Sequence, residues 1–428
     1  MTAIFIDTRP LARWSTNVHS HPLSGTDSQI IGLANLLSAG GQPVTLYCTS
    51  LPERTGHHAQ LSTVLVASLT EASLIASQRE EQVLVFAVKG TPEEINLLRN
   101  NDLKLKFCGW AHNSPDPYWM YHAHLSENFW RLVCVSDWQA GELAINKLSH
   151  KMVSIPNFAS WPATTSPTGE NLPDAKDRYC VYVGALKRSK GFHHVLQAWM
   201  SLNARPNNFR LIVLGSSALY SSSDSLGSRS GLTDHAYEEQ LKSILGDDLS
   251  NSKKYGIEFR GSVDKLELRS LIERSEFVIA NPNWSTNESL ETFCLSAVEA
   301  NLLGRAVVAG RAGALPETVG HERGGLLSRG DMELAKNIER LIYDGALAKA
   351  LGLTGRNYSE INFNSQKFVS RWMKLLTYQE MEKYAIARPK VSMRFVARYA
   401  YRILVPSKVD CCMRGKRHAK KNYNEFST

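Results

Sequence analysis

The strongest constraint on the fold is a rhythm. Short runs of β-branched and aromatic residues alternate with helical stretches, and the alternation stops once and restarts. In the first block the apolar runs are Ala3–Asp7, Val44–Cys48, Val83–Ala87, Leu105–Trp110, Arg131–Ser136 and Met152–Pro156. Helical spacing lies between them, clearest over Ser28–Ser38. Strands that alternate with helices build an open, mostly parallel sheet, because each parallel strand needs a crossover to reach the next. Residues 157–178 break the pattern with prolines, serines and threonines and no periodicity, which predicts a linker. The alternation resumes at Tyr179–Gly184, Arg210–Gly215, Ile257–Gly261, Phe277–Ala280 and Ala306–Gly310. The expectation is two α/β/α domains, 1–160 and 179–375, joined by 161–178 and followed by a crossover segment and basic tail, 376–428. A chain of 428 residues is long enough for two cores. Two such sheets create a cleft between their carboxyl edges, where parallel sheets place ligands.

Charge divides the chain in another way. Residues 386–428 hold 11 Lys and Arg against 2 acidic residues, while the rest holds 38 against 39. A neutral body with a basic tail argues against a nucleic-acid-binding enzyme and gives the chain one electrostatic handle. In that tail Arg394, Arg398 and Arg402 recur at helical spacing beside Phe395, Tyr399 and Leu404, a basic amphipathic pattern ended by Pro406. The cluster Arg414–Lys421 follows. Residues 216–231 are serine-rich and read as a surface loop. Seven scattered cysteines without a CxxC pair are expected to be reduced thiols of a cytosolic protein. The first apolar run reads as a strand, not a secretory signal, and no apolar stretch reaches the ~20 residues of a membrane helix.

Candidate chemistry lies at the ends of strands. Gly184 closes one strand, and Lys187, Arg188 and Lys190 follow before Gly191 and a helix; cations there can hold a diphosphate, or form an ordinary basic loop. Glu291 and Glu299 flank the start of another helix-like run. A carboxylate accepts from adjacent hydroxyls, as on a ribose or hexose, and amides over Phe293, Cys294, Leu295 and Ser296 can take a phosphate between them. The plainer reading makes Glu291 a capping residue and Glu299 an exposed helix residue. In the first block Gly25 precedes a helix and admits close backbone approach, with Thr26, Asp27 or Ser28 as alternatives for a simple cap. His112 lies just past a strand, where it faces the cleft or serves packing. His122, His124, His193 and His194 lack a metal-ligand spacing. The chain has no G-x-G-x-x-G after a strand, no P-loop, no D-x-D and no nucleophile elbow.

These pieces, in this order, resemble the retaining glycosyltransferases of family 4, whose fold is GT-B, two Rossmann-like α/β/α domains facing each other. The resemblance rests on VGALKRSKGF (183–192) and ESLETFCLSAVEANLLGRAVVAGRAGALPETV (288–319), which holds an E-x7-E pair and a later P-E. In the first domain it rests on LSGTDSQIIGLANLL (23–37), WAHN (110–113), VCVSDWQA (133–140) and VSIPNF (153–158).

The resemblance implies sugar transfer from a nucleotide-diphospho-sugar to an acceptor hydroxyl with retention of anomeric configuration and without a metal. It implies catalytic roles for Glu291, His112 and Lys190. Donor contacts would come from Gly25, Gly184, Arg188, Phe293, Cys294, Leu295 and Glu299, with Glu299 on the ribose and Arg188 helping Lys190 at the diphosphate. Three positions depart from the family: Ala185 stands where arginine is usual, Cys294 where glycine is usual, and Ala312-Gly313 replaces Gly-Gly. Cys294 restricts the backbone more than glycine would, and all three positions touch the phosphate and sugar pockets in the family, so they bear on donor identity more than on reaction type. No cofactor is expected, and the partners are the donor, a glycan or lipid-linked glycan acceptor, and an anionic membrane surface reached by residues 386–428. That places the chain in the cytoplasm, peripheral to the inner membrane face, in polysaccharide or lipopolysaccharide assembly. The competing readings are a non-catalytic nucleotide-sugar or glycan binder on the same scaffold, and a sugar-nucleotide epimerase.

Overall fold

The computed structural model describes residues 2–377 except 10, 12–13, 18–22, 54–59, 145, 162–177, 203–205, 207, 216–230 and 285–289. Most of the linker, the serine-rich loop and the basic tail therefore lie outside the described residues. The first domain carries strands β1 (Thr2–Ile6), β2 (Val44–Cys48), β3 (Leu61–Leu65), β4 (Val83–Ala87), β5 (Lys106–Ala111), β6 (Phe129–Cys134) and β7 (Met152–Ser154). Its helices are α1 (Gly25–Ala39), α2 (Leu69–Gln78), α3 (Pro92–Arg99), α4 (Pro117–Leu125) and α5 (Asp137–Leu143). The second carries β8 (Arg178–Val183), β9 (Phe209–Leu214), β10 (Ile257–Gly261), β11 (Phe277–Ile279), β12 (Ala306–Gly310) and β13 (Gly325–Ser328). Its helices are α6 (Phe192–Met200), α7 (His235–Leu245), α8 (Lys265–Glu273), α9 (Leu295–Leu302), α10 (Leu315–Thr318), α11 (Asp331–Tyr343) and α12 (Gly345–Asn362). A last helix, α13 (Ser365–Leu376), follows.

Both sheets are parallel, in the orders β3-β2-β1-β4-β5-β6-β7 and β10-β9-β8-β11-β12-β13. Each order reverses direction beside its first strand. Loops leaving the carboxyl ends of the two strands at that point diverge and open a crevice. In the second domain those strands are β8 and β11, so the segments after Val183 and after Ile279 flank the crevice.

Eleven of these strands follow the apolar runs of the sequence. The two without a predicted run, β3 and β13, are edge strands of their sheets. An edge strand needs less apolar surface: Leu65 in β3 is 56% exposed, and β13 contributes only Gly325–Ser328. Each sheet is buried on both faces, which is why β1, β2, β4, β8 and β12 are nearly continuous apolar runs.

The chain crosses between the domains twice. Phe368, Trp372 and Leu375 of α13 form one apolar stripe, buried with Ile30, Trp110 and Phe158 of the first domain. The Trp110 and Trp372 rings lie 4.8 Å apart and Phe158 and Phe368 4.7 Å apart. The two crossings meet where Ala159 N–H donates to the Phe363 carbonyl at 3.1 Å. The expected boundary at residue 375, with the crossover after it, assigns α13 to the second domain; the packing sends the chain back to the first from Phe363 onward. Among the described residues no helix is long and apolar enough to cross a membrane.

Candidate active site

A cleft of about 550 Å³ lies between the domains. The first domain lines it with Ser24, Gly25, Thr26, His112, Asn113 and Asn157. The opposite wall comes from the second domain: Gly184, Lys187 and Lys190 after β8, Gly215 after β9, Ser262 and Val263 after β10, Asn281 after β11, and Leu290 to Ser296 leading into α9.

The centre of that wall is a three-residue cluster. Lys190 Nζ donates to Glu291 Oε2 at 2.6 Å, and Asn281 Nδ2 donates to the same oxygen at 2.5 Å. Both donors meet Oε2, and the second carboxylate oxygen, Oε1, is chemically able to accept from a ligand hydroxyl. Asn281 reaches Glu291 from a backbone at φ +40°, a left-handed conformation that asparagine tolerates better than most residues. The loop is locked from behind. Gly310 N–H donates to the Asn281 carbonyl at 3.1 Å, and Ala314 N–H to the Glu291 carbonyl at 2.8 Å. Gly313, at φ +59°, passes so close to the Glu291 backbone that an added Cβ would collide with it. The single glycine of Ala312-Gly313 therefore sits where the contact requires it.

Helix α9 opens onto the cleft. Its N-cap, Cys294, makes no side-chain cap, and Cys294, Leu295 and Ser296 place the positive end of the helix on the cleft wall beside Glu291. Cys294 adopts φ −90° and ψ 91°, extended backbone open to any residue. The position does not need the wider freedom of a glycine. Burial pushes its thiol up to about 11, so it stays protonated at neutral pH. Phe293 and Leu295 line the wall, and the Phe293 ring packs edge-on against Phe363 at 5.3 Å.

Across the cleft His112 is 9% exposed, and its ring lies 4.5 Å from that of Trp110. Burial pushes its pKa down to about 3, which makes it a neutral imidazole at physiological pH. Nε2 has no hydrogen-bond partner among the described residues. A side-chain hydroxyl joins the two walls here: Thr292 Oγ1 donates to the His112 carbonyl at 2.5 Å. A second tie crosses at Glu317, whose carboxylate accepts from Asp137 N–H at 3.1 Å and Trp138 N–H at 3.0 Å at the start of α5. Burial raises the Glu317 pKa, and those two amides oppose the rise.

Other expected residues fall in different places. Gly25 is the first residue of α1, and an added Cβ there would meet no atom within 4 Å. The cap of that helix is Ser24, which accepts from Asp27 N–H at 3.1 Å, and not Thr26, Asp27 or Ser28. Gly184 lines the cleft, but the glycine forced by geometry is Gly215, at φ +126°, where an added Cβ would run into the Gly184 carbonyl. Arg188 is exposed and does not line the cleft. Glu299 is not on the wall either. Its carboxylate is buried and bonded to Lys265, whose ammonium lies 4.5 Å from the Trp161 ring. The Trp161 indole donates to the Glu299 carbonyl at 3.0 Å. Sequence reasoning missed Asn281 and Lys265 as partners of the two glutamates. Asn281 carried a weak signal, a polar residue directly after a buried strand; Lys265 carried none.

Residues 168–358 match the family model described as "Glycosyl transferases group 1". No curated protein matches the sequence. Among solved structures, sucrose-phosphate synthase from Thermosynechococcus elongatus is similar at 18% identity and a TM-score of 0.63, covering 87% of this chain and 97% of that one. The Anabaena protein Alr3699/HepE in complex with UDP-glucose is similar at 16% identity and a TM-score of 0.62, covering 89% and 100%. WaaG, described as a glycosyltransferase involved in lipopolysaccharide biosynthesis, is similar at 12% identity and a TM-score of 0.59, covering 89% and 100%. The fold is GT-B, and the stretch that carries Lys190, Asn281 and Glu291 is the stretch that matches the group 1 glycosyl transferases.

Proposed function

We propose that this chain transfers a sugar from a nucleotide-diphospho-sugar to an acceptor hydroxyl, with retention and without a metal. The observation that carries the reading is the Lys190–Glu291–Asn281 cluster facing His112 across one interdomain cleft. Lys190 and the uncapped start of α9 supply positive potential where a departing diphosphate would gather charge. Glu291, fixed by two donors on Oε2, grips a sugar hydroxyl through Oε1. His112, kept neutral, donates or accepts at the sugar without carrying a charge of its own. Closure over the donor excludes the water that would hydrolyse it.

UDP-sugars are the first donors to test, because the similar Anabaena protein is described with UDP-glucose bound. The acceptor class, a glycan or lipid-linked glycan in cell-surface polysaccharide or lipopolysaccharide assembly, follows from the resemblance and from the likeness to WaaG. An anionic membrane surface is the partner of residues 386–428, by their charge. The test is a thermal-shift screen of the full chain against UDP-, GDP-, ADP- and dTDP-sugars, followed by a transfer assay with and without EDTA. A ligand at 100 times its Kd adds about 2.7 kcal/mol of stability. Binding of a donor with neither transfer nor donor hydrolysis would replace the enzyme reading with a binding protein. Loss of transfer in EDTA, restored by Mg²⁺ or Mn²⁺, would remove the metal-free mechanism. For the tail, equal co-sedimentation with anionic vesicles by the full chain and a chain ending at residue 385 would reject membrane attachment.

A further inference from the structure

The resemblance leaves a charge missing. Where the family places an arginine after the strand glycine, this chain has Ala185, and the expected substitute was Arg188. We propose that Lys187 is the second diphosphate-binding cation of this site, paired with Lys190, and that Arg188 takes no part. The inference rests on the donor site proposed above and goes beyond it by naming the residue that replaces the missing charge.

The local backbone decides between neighbours. Residues Arg188–Lys190 form a 3-10 turn after Lys187, closed by Lys190 N–H donating to the Lys187 carbonyl at 2.9 Å and Gly191 N–H to the Arg188 carbonyl at 3.0 Å. Such a turn brings residues three apart toward the same side. Lys187 and Lys190 accordingly both line the cleft, and so does Ser189, while Arg188 is exposed and off the wall. The turn is held in place by the neighbouring loop. Asn283 Nδ2 donates to the Ser189 carbonyl at 3.0 Å, and Gly191, at φ +72°, lies against the Asn283 backbone.

Electrostatics agree with this geometry. Burial pulls the Lys187 ammonium below the usual lysine range, Asp234 opposes that, and the nearby Lys190 adds to it. With Lys190 also paired to Glu291, Lys187 adds a second positive charge on the same wall for a diphosphate to meet. Lysines act as point charges toward phosphate, so the pair can work without the bidentate fork of the missing arginine.

The test is titration of the full chain with UDP, GDP and ADP, and with uridine, guanosine and adenosine as controls, for wild type, Lys187→Ala, Lys187→Arg and Arg188→Ala. The expected result is a loss of about tenfold or more in nucleoside-diphosphate affinity for Lys187→Ala. Nucleoside affinity should hold, Lys187→Arg should recover most of the loss, and Arg188→Ala should stay within about twofold of wild type. A misfolded Lys187→Ala would lose nucleoside binding too, and the Lys187→Arg and Arg188→Ala variants still decide the matter. Wild-type diphosphate affinity in Lys187→Ala, or a larger loss in Arg188→Ala, overturns the assignment while leaving the donor-site reading intact. A wild-type chain that binds none of the three diphosphates overturns the donor-site reading and the assignment with it.

Discussion

The two domains share a strand order through their first six strands, yet the cleft walls they provide are unlike. In the second domain, loops leaving the two strands at the switch point hold the chemistry directly: Lys187 and Lys190 after β8, Asn281 after β11. In the first domain, the corresponding loops after β1 and β4 hold Asp7 and Lys89, and Asp7 is paired with both Lys89 and Arg9. The Arg9 guanidinium, with Lys89, holds the Asp7 carboxyl well below the usual carboxylate range. None of the three lines the cleft. The first domain instead offers the buried, neutral His112 and the bare backbone around Gly25. One topology thus fixes where a ligand can sit, and the residues on the loops decide what each wall can do. Among the described residues, one wall carries lysines and a carboxylate, and the other is lined by neutral groups.

The largest test of that contrast is at the charged wall. Lys190→Ala and Glu291→Ala should each lower the transfer rate by roughly 10²–10³-fold, as loss of a transition-state charge partner does. Thermal unfolding should move little for Lys190→Ala, whose side chain is 33% exposed. Full activity in either variant removes the cluster from the mechanism.

The next contrast is between glycines. Gly215→Ala forces a side chain into a left-handed backbone against the Gly184 carbonyl, and should cost about 1–3 kcal/mol in denaturant unfolding. Gly25→Ala meets open space and should leave unfolding unchanged while lowering kcat/KM, because its methyl enters the cleft. Unchanged kcat/KM would show that nothing approaches the Gly25 backbone.

His112 gives a pH signature. Its pKa is about 3 in the folded chain against 6.5 when unfolded, so the unfolded state binds the proton first. Stability from keeping this residue neutral is full above pH 6.5 and is lost progressively as pH falls toward 3. His112→Gln should flatten that part of the stability profile, measured by denaturant midpoints across the window. An identical slope in both proteins would mean the imidazole is not buried as described.

The smallest effect is expected at Cys294. Because its backbone is already extended, Cys294→Gly should change activity by less than about threefold, and the protonated thiol should react slowly with iodoacetamide at pH 7. Rapid alkylation would show a lowered thiol pKa and a different electrostatic setting at the start of α9.

Much of this was legible before any coordinates. Hydrophobic periodicity depends on the chain alone, since it records which face of each element is apolar. It placed eleven strands, divided the chain into two α/β blocks and set Gly184, Lys190, Glu291 and His112 at strand ends or in the segments beyond them. Periodicity does not say which surface covers an apolar stripe or which cation meets a buried carboxylate, because those choices are made by residues far apart in sequence. The stripe of α13 returns to Trp110 and Phe158 across the domain boundary. Glu299 is withdrawn to Lys265, and Glu291 is claimed by Lys190 and Asn281. A 3-10 turn sends Lys187 to the cleft and Arg188 to solvent, a distinction that three adjacent cationic letters could not express.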